Sequence, residues 1–410
     1  MKRLPYLVAL GVCAGPAYAV EPPPLPRPWA QLQIWGTAWD QDEDPQADPA
    51  GYGDPEADPG ISLRRARVGL EGEYALVDYE LSVGMGAPFD VYDTEQPLIG
   101  IIDAVAGFNF VVGPGSIRLA AGVQKVPVTR EFLIPSAELL FQERSIQTEA
   151  ITPEREPGLL FDWDSGFGLR TRVGLYNGNG NLFGDDSYGK LLATRIEWAK
   201  GNAYTTFTHT REDAWGVAVG GYYDDSLSTR TFRGNVDALV RFGPIAAWAE
   251  GALANVAPSD TTVTDPEVEA VTNKLSVSGQ LSGFIPLFAG GIEIGARGEW
   301  YDDALSRKDN GDILIVYGGA TWRDPVPGID FGLGYIHRTE LQGSTHPNDT
   351  IRMWLQVRYP TWRPRPEAEL TSEDAGTPEP VEPAEPETFD KPVTPDPAPA
   401  PAPEPTPAPG

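Results

Sequence analysis

Runs of about ten residues with apolar side chains at alternate positions recur along most of the chain, as transmembrane β-strands require. In the run 351–359 one face is apolar and carries Ile351, Met353, Leu355, Val357 and Tyr359. The other face carries Arg352, Trp354, Gln356 and Arg358. Alternate residues of a strand point to opposite sides, so two arginines behind an apolar stripe favour a wall with lipid outside and water inside. The pattern predicts an all-β, transmembrane antiparallel β-barrel.

The number of strands follows from counting these runs. Seventeen candidates begin near residues 30, 62, 77, 99, 116, 158, 167, 190, 202, 214, 231, 245, 273, 291, 312, 330 and 350. Bacterial single-chain barrels have an even number of strands, with short periplasmic turns and longer extracellular loops. Loop lengths counted from the two ends agree only if the polar run 202–210 is dropped. We therefore expect about sixteen strands with both termini in the periplasm.

The two ends of the chain differ from the middle. Lys2 and Arg3, an apolar run and the small-x-small site at Ala17–Ala19 predict a secretory signal peptide, residues 1–19. The predicted barrel domain covers residues 20–362. Residues 363–410 repeat Glu-Pro, Ala-Pro and Thr-Pro, which predicts a disordered periplasmic tail with polyproline II character. The only cysteine, Cys13, lies in the signal peptide, so the mature chain is expected to have no disulfide.

Charge narrows the classes of partner. The net charge is -28, and residues 40–60 and the tail carry much of the acidity. Such acidity makes nucleic acid an improbable partner. After residue 19 no apolar stretch of about 18 residues could form a transmembrane helix. We expect a protein secreted to the outer membrane of a Gram-negative bacterium, with lipid around the barrel.

A long stretch without alternation, 122–145, follows the fifth run and carries Lys125, Arg130, Glu131, Glu143 and Arg144. If this connection folds into the barrel, it narrows the lumen and brings these charges to the constriction. The alternative is a solvated outer loop whose charges pair locally. The residue pattern leaves both interpretations open.

Alternation also places many arginines on the inner face: Arg65, Arg67, Arg118, Arg170, Arg172, Arg195, Arg233, Arg241, Arg297, Arg338, Arg352 and Arg358. Rings of Arg favour anions in pores. Inner acids could instead pair with them and satisfy the charge: Glu71, Glu73, Asp78, Glu80, Asp237, Glu293 and Glu299. An anion preference and a neutral ladder of ion pairs are therefore competing readings.

Catalytic and metal-binding patterns have little support. The sequence Asp40-x-Asp42-x-Asp44 suggests a calcium loop, but Pro45 and Gly51 stand where an EF-hand needs Gly and Glu. His337, with Thr339 and Ser344 close in sequence, offers only a weak case for a hydrolase at the lipid boundary. We expect no enzyme activity, no cofactor and no resident metal.

The stretch 122–145 also resembles the phosphate-selective porin O and P family. The matching residues are Lys125, Pro127, Thr129, Arg130, Glu131, Leu133, Glu143, Arg144 and Ser145. Further matches are Arg64–Arg67, Glu71–Gly72, Asp103–Ala104 and Asn177–Gly178. The resemblance implies a sixteen-stranded trimeric porin that favours anions. It does not specify phosphate, because members with this motif differ in solute.

Two functions are consistent with these observations. The first is a porin for passive diffusion of small hydrophilic solutes, leaning to anions, with phosphate as a candidate. The second is a structural barrel that anchors the tail to peptidoglycan or another periplasmic partner. For the porin, the candidate pore and anion-binding residues are Lys125, Arg130, Glu131, Arg144, Arg65, Arg67, Arg118, Arg170 and Arg172.

Overall fold

The computed structural model describes residues 25–41, 60–85, 99–178, 189–204, 213–226, 229–258, 271–287, 290–308, 311–343 and 348–359. The predicted signal peptide, the acidic part of the first loop and the tail lie outside these ranges. Their boundaries remain predictions.

Sixteen strands form within the described residues. They are β1 Arg27–Gln41, β2 Gly60–Tyr74, β3 Val77–Met85, β4 Gly100–Val112, β5 Gly115–Lys125, β6 Arg155–Asp164, β7 Leu169–Tyr176, β8 Leu191–Lys200, β9 Ala214–Asp225, β10 Thr229–Phe242, β11 Ile245–Pro258, β12 Thr272–Pro286, β13 Gly291–Asp302, β14 Asp312–Val326, β15 Ile329–Glu340 and β16 Asn348–Tyr359. Each predicted run except 202–210 corresponds to one of them. The expected all-β class and strand number are confirmed.

Each strand pairs with its sequence neighbours in a single closed barrel. All pairs are antiparallel, and β1 pairs with β16 from Ala30 opposite Tyr359 to Gln41 opposite Asn348. Closure leaves no free strand edge, and this satisfies the backbone polar groups that lipid cannot. Residues 202–204 lie outside any strand, which agrees with dropping the run that begins there.

The two faces of the barrel wall differ as the alternation predicts. Val68, Leu70, Ile351 and Met353 point outward and are exposed, as are most large apolar side chains at the same parity. Charged residues line the inside, where Arg352 keeps only 3% of its surface exposed. An apolar exterior of this kind suits hydrocarbon surroundings.

The connections also sort by barrel end. At one end several strands are joined by tight turns, at residues 75–76, 113–114, 243–244 and 327–328. Gly113 in the β4–β5 turn has a φ of 62°, which glycine adopts without steric cost. At the other end lies the connection from β5 to β6, residues 126–154. It contains α1 (Arg130–Leu133), a 3-10 turn (Ser136–Glu138) and α2 (Ile146–Ile151).

No helix in the described ranges is long and apolar enough to cross a membrane.

Candidate functional site

The β5–β6 connection, residues 126–154, folds into the barrel and is named the inner loop here. Almost every residue from 126 to 146 is buried, although this segment is a connection between two strands of the wall. Thr129 caps α1 by accepting a hydrogen bond from the Phe132 amide at 3.2 Å. The helix is one turn long, and Pro135 follows soon after its end. Because these residues are buried, the interpretation in which the segment enters the lumen is correct, and a solvated outer loop is excluded.

The wall holds the inner loop largely by its backbone. Side chains from several strands donate hydrogen bonds to its carbonyl oxygens: Arg195 to Val128 (2.8 Å), Gln356 to Ala137 (3.0 Å), Arg323 to Leu139 (3.1 Å), Thr321 to Leu140 (2.8 Å), Arg65 to Gln142 (2.9 Å) and Arg297 to Glu143 (2.8 Å). These donors belong to β2, β8, β13, β14 and β16. The loop is therefore fixed on several sides of the lumen.

Glu131 joins the two ends of the inner loop, because it lies in α1 and its partners lie at the start of α2. Its carboxylate accepts hydrogen bonds from the Ser145 amide (2.8 Å), the Ser145 hydroxyl and the Thr148 hydroxyl (2.8 Å). Arg297 of β13 adds an ion pair at 3.3 Å. With 1% of its side chain exposed, Glu131 acts as a structural hub and does not face open space.

Arg130, the neighbouring residue, is an anchor to the wall. Its Nε donates to Asp237 at 2.7 Å, and its Nη1 donates to the Ala203 carbonyl at 2.7 Å. Glu197 lies 3.5 Å from its Nη2. Arg195 binds the same Asp237 carboxylate at 2.6 Å, so two buried guanidinium groups share it. A buried ion pair with several hydrogen bonds fixes position strongly.

Most of the other wall arginines are matched by acids. Arg118 pairs with Asp78 at 2.7 Å, and Arg170 and Arg172 share Asp162. The same holds for Arg297 with Glu299, Arg323 with Glu293, Arg338 with Glu340 and Arg358 with Asp330. At these positions the wall is a ladder of ion pairs, and the carboxylates largely cancel the charge of the arginines.

One group departs from this matching, and we name it the arginine cluster: Arg64, Arg65, Arg67, Arg144 and Arg352. Three of its members surround the single carboxylate of Glu143, with Arg64 at 2.9 Å and Arg65 and Arg352 at 3.7 Å. Burial opposes ionisation, but these arginines outweigh it and hold the pKa of the Glu143 carboxyl well below its ordinary value. Arg64, Arg65 and Arg352 thus share one carboxylate, and this part of the cluster keeps a positive excess.

Aromatic rings support the cluster. The guanidinium carbons of Arg352 and Arg64 lie 3.9 and 5.0 Å from the Trp35 ring centroid. The Phe132 ring of the inner loop lies near three further cations. These are Arg144 at 5.0 Å, Lys125 at 5.8 Å and Arg155 at 5.9 Å. An aromatic face attracts a cation, so these rings help to hold the positive charges together.

The positions of Arg64 and Arg67 show how the wall builds this cluster. The register between β1 and β2 shifts between Gln33 and Ile34, so a bulge occurs at Arg64. A bulge adds one residue to a strand, and here both Arg64 and Arg65 are buried on the inside. Arg67 follows on the same face, and its buried Nε has no hydrogen-bond partner among the described residues. Alternation alone missed Arg64, and the double arginine was the available signal.

A crevice of about 110 Å³ lies along the wall from β1 to β7. Its charged lining residues are Arg27, Glu71, Glu73, Asp78, Glu80, Asp103, Arg118, Asp162 and Arg170. Six of these are acids and three are bases. Lys125 lies near it at the end of β5 and donates to the Leu133 carbonyl at 3.1 Å. The crevice and the arginine cluster thus differ in the sign of their excess charge.

His337, considered above for hydrolysis, faces outward. Its Nδ1 lies 2.7 Å from Asp349, and both side chains are about half exposed. The Thr339 hydroxyl lies 3.5 Å from the Glu340 carbonyl and is directed to that backbone group. Ser344 is outside the described residues. The described surroundings of His337 thus show a His–Asp contact without a nucleophile.

Comparisons with known proteins support this architecture. The model of the family described as "Phosphate-selective porin O and P" matches residues 40–222, which confirms the resemblance seen in the sequence. No curated protein sequence matches the chain.

Solved barrels superpose on most of the chain. A loop L8 deletion mutant of OmpT, an outer membrane protein of Vibrio cholerae, has a TM-score of 0.55 at 10% identity and covers 82% of this chain and 99% of its own. Salmonella typhi OmpF in complex with daunomycin gives 0.53 at 13% identity, covering 82% and 97%. An anion-selective porin from Comamonas acidovorans gives 0.52 at 10%, covering 82% and 99%. At these identities the likeness establishes the fold alone.

Proposed function

We propose that this protein is an outer-membrane porin through which small hydrophilic solutes diffuse passively, with a lean toward anions. The closed barrel, its apolar exterior, its charged interior and the loop inside the lumen support a channel. The match of residues 40–222 to a porin family supports the same function. The homotrimer that this resemblance implies is part of the proposal.

The observation that carries the anion preference is the positive excess of the arginine cluster. Elsewhere on the wall, arginines such as Arg118 and Arg323 lie beside carboxylates that largely cancel their charge. Around Glu143, three guanidinium groups share one carboxylate. Fixed charge at a constriction sets which ions enter it. The acidic lining of the crevice opposes this field, so the preference is a lean and not a strict selection.

Phosphate is a candidate solute because a guanidinium group offers paired donors that match its oxygens. Of the nine residues singled out in the sequence, Arg65, Arg67, Arg144 and Lys125 lie at or beside the cluster. Arg130 and Glu131 hold the inner loop in place. Arg118, Arg170 and Arg172 are ion-paired on the wall and contribute less to selectivity in this proposal.

Reversing two charges in the cluster tests the proposed selectivity. Changing Arg67 and Arg144 to Glu lowers the fixed charge of the arginine cluster by four units. An ion that passes within a Debye length of the cluster, ~10 Å at 0.1 M salt, is subject to this change. We expect the reversal potential in a potassium chloride gradient to change sign toward cations. The measurement is planar-bilayer recording of the purified protein, with inorganic phosphate added to test block of chloride current.

Arg230→Glu is the control, since Arg230 pairs with Asp225 and its side chain is 37% exposed. It should leave the permeability ratio unchanged. An unaltered ratio in the double variant would refute the cluster as the selectivity element. Absence of phosphate block would remove phosphate as the preferred solute without affecting the porin itself.

Orientation is a separate part of the proposal. The end of the barrel with the longer connections should face outward, because extracellular loops are the longer ones. An epitope tag inserted at Pro266, between β11 and β12, is expected to bind antibody on intact cells. A tag within residues 363–410 is expected to bind only after the outer membrane is permeabilised. Labelling of the tail on intact cells would contradict this orientation.

The structural anchor remains the second candidate, and the filling of the lumen by the inner loop favours it. A barrel that only anchors the tail to peptidoglycan or a periplasmic partner would show no conductance steps. Single-channel recording of the unaltered protein therefore separates the two functions.

A further inference from the structure

A second segment enters the lumen from the barrel end opposite to the inner loop. The β8–β9 connection begins at Gly201, at the same end as the tight turns at 75–76 and 113–114. Its residues Ala203 and Tyr204 are 1% and 3% exposed. The Tyr204 amide donates to the Asn202 side chain at 2.9 Å, which fixes the local turn. A periplasmic turn is normally short and outside the lumen, so this inward path calls for a function.

The polar contacts of Tyr204 place its ring among wall charges. Its hydroxyl donates to Glu197 at 2.5 Å and accepts from Arg172 at 3.1 Å. The guanidinium carbons of Arg172 and Arg130 lie 5.3 and 5.5 Å from its ring centroid. Arg172 and Glu197 belong to the wall, whereas Arg130 belongs to the inner loop. One side chain therefore links the two.

The apolar contacts of Tyr204 are with the inner loop. Its ring packs in a buried cluster with Leu133, Ile134 and Leu139. The adjacent Ala203 carbonyl accepts a hydrogen bond from Arg130 at 2.7 Å. The two segments that enter from opposite barrel ends thus meet inside the lumen. There α1 of the inner loop is held by Ala203 and Tyr204 and by the wall at β7, β8 and β10.

We propose that Tyr204 is a positioning residue of the pore: it holds the inner loop against the β7–β10 wall and so keeps the crevice along β1–β7 open. The inference rests on the proposed porin function for its effect on current. Its effect on loop position does not depend on that function. Without the ring, Leu133 of α1 loses an apolar partner and Arg130 loses its cation–π contact, so the loop can move toward the crevice.

Loop position can be measured without any current. Cys13 is the only cysteine and lies in the predicted signal peptide, so Leu133→Cys places a single thiol in the mature chain. Leu133 is 6% exposed and packs in the Tyr204 cluster. In this background Tyr204→Ala is expected to raise the rate of thiol modification by a charged maleimide roughly tenfold, the effect of losing two cation–π contacts and their packing. Tyr204→Phe keeps the ring and should remain near the parent rate.

Current through the same variants tests the effect on the pore. Tyr204→Ala is expected to show several conductance levels in place of one, whereas Tyr204→Phe should keep the parent level. Tyr204→Leu serves as a second variant if Tyr204→Ala does not fold. It keeps apolar volume but loses the cation–π contacts, so its thiol reactivity and conductance should lie between those of the parent and those expected for Tyr204→Ala. Equal thiol reactivity in the parent and Tyr204→Ala would overturn the proposal, as would faster reactivity with unchanged conductance. If the parent passes no current, the porin function fails while the thiol result still decides the role of Tyr204.

Discussion

Ending the chain at Gly343, before β16, is expected to abolish the closed barrel. β16 pairs on one side with β15 and on the other with β1. Without it, β1 and β15 become open edges whose backbone donors and acceptors have no partner in lipid. The variant also loses Arg352 and Gln356, which contact the inner loop region from the wall. We expect no folded protein in the outer membrane.

Ending the chain at Trp362 is the matched control. It removes the predicted tail, residues 363–410, and keeps all sixteen strands. Folding can be followed by the shift in gel mobility between unheated and boiled samples, which reports a barrel resistant to detergent. The shorter variant should show no shift, and the control should migrate and conduct like the full chain. A shift in the chain ending at Gly343, or a rise in current on loss of the tail, would contradict these expectations.

Changing Asp237 to Asn is expected to destabilise the protein and release the inner loop at α1. The Asp237 carboxylate accepts from Arg130 at 2.7 Å and from Arg195 at 2.6 Å, and its side chain is 1% exposed. Removing one partner of a buried ion pair costs about 3–5 kcal/mol, because the remaining charge stays buried. Here two guanidinium groups would lose one of the two carboxylates that they share, since Glu197 stays close to both, and repulsion between them would add to the loss.

The measurement is equilibrium unfolding in urea, followed by tryptophan fluorescence in detergent micelles or lipid vesicles. Asp225→Asn serves as the control, because the Asp225–Arg230 pair is more than a third exposed on both sides. An exposed pair contributes about 0–1 kcal/mol, so little change is expected. Equal stability of the Asp237 variant and the Asp225 variant would mean that the α1 anchor does not support the fold.

Alternation in the sequence predicted the barrel well for a physical reason. Lipid outside and charge inside impose a period of two on each strand, and Ile351, Met353, Arg352 and Arg358 all point as expected. An even strand count and the difference in loop length then decided which run to discard. These constraints act on each strand separately and can be read from local sequence.

The site was less predictable because its contacts link distant residues. Alternation found most inner arginines but could not tell which carboxylate, if any, lay opposite each one. Arg118 is neutralised by Asp78, 40 positions away, whereas Arg67 lies in a cluster with excess charge. The pattern also missed Arg64, which a bulge buries on the inside, and Tyr204, whose run was discarded on loop lengths and gave no sign of entering the lumen. Such features depend on register and three-dimensional packing.

The hydrogen bonds by which the wall holds the inner loop affect how the sequence of this protein can evolve. Arg195, Arg297, Thr321, Arg323 and Gln356 bind main-chain carbonyls, which every amino acid possesses. A mutation that alters a loop side chain leaves those bonds in place as long as the backbone keeps its path. Placement of the loop is therefore encoded partly in the strands, and within the loop it depends on a few side chains such as Arg130 and Glu131. Loop side chains outside these contacts can change without loss of the carbonyl bonds, and a designer could vary them on this barrel to obtain a different preference for solutes.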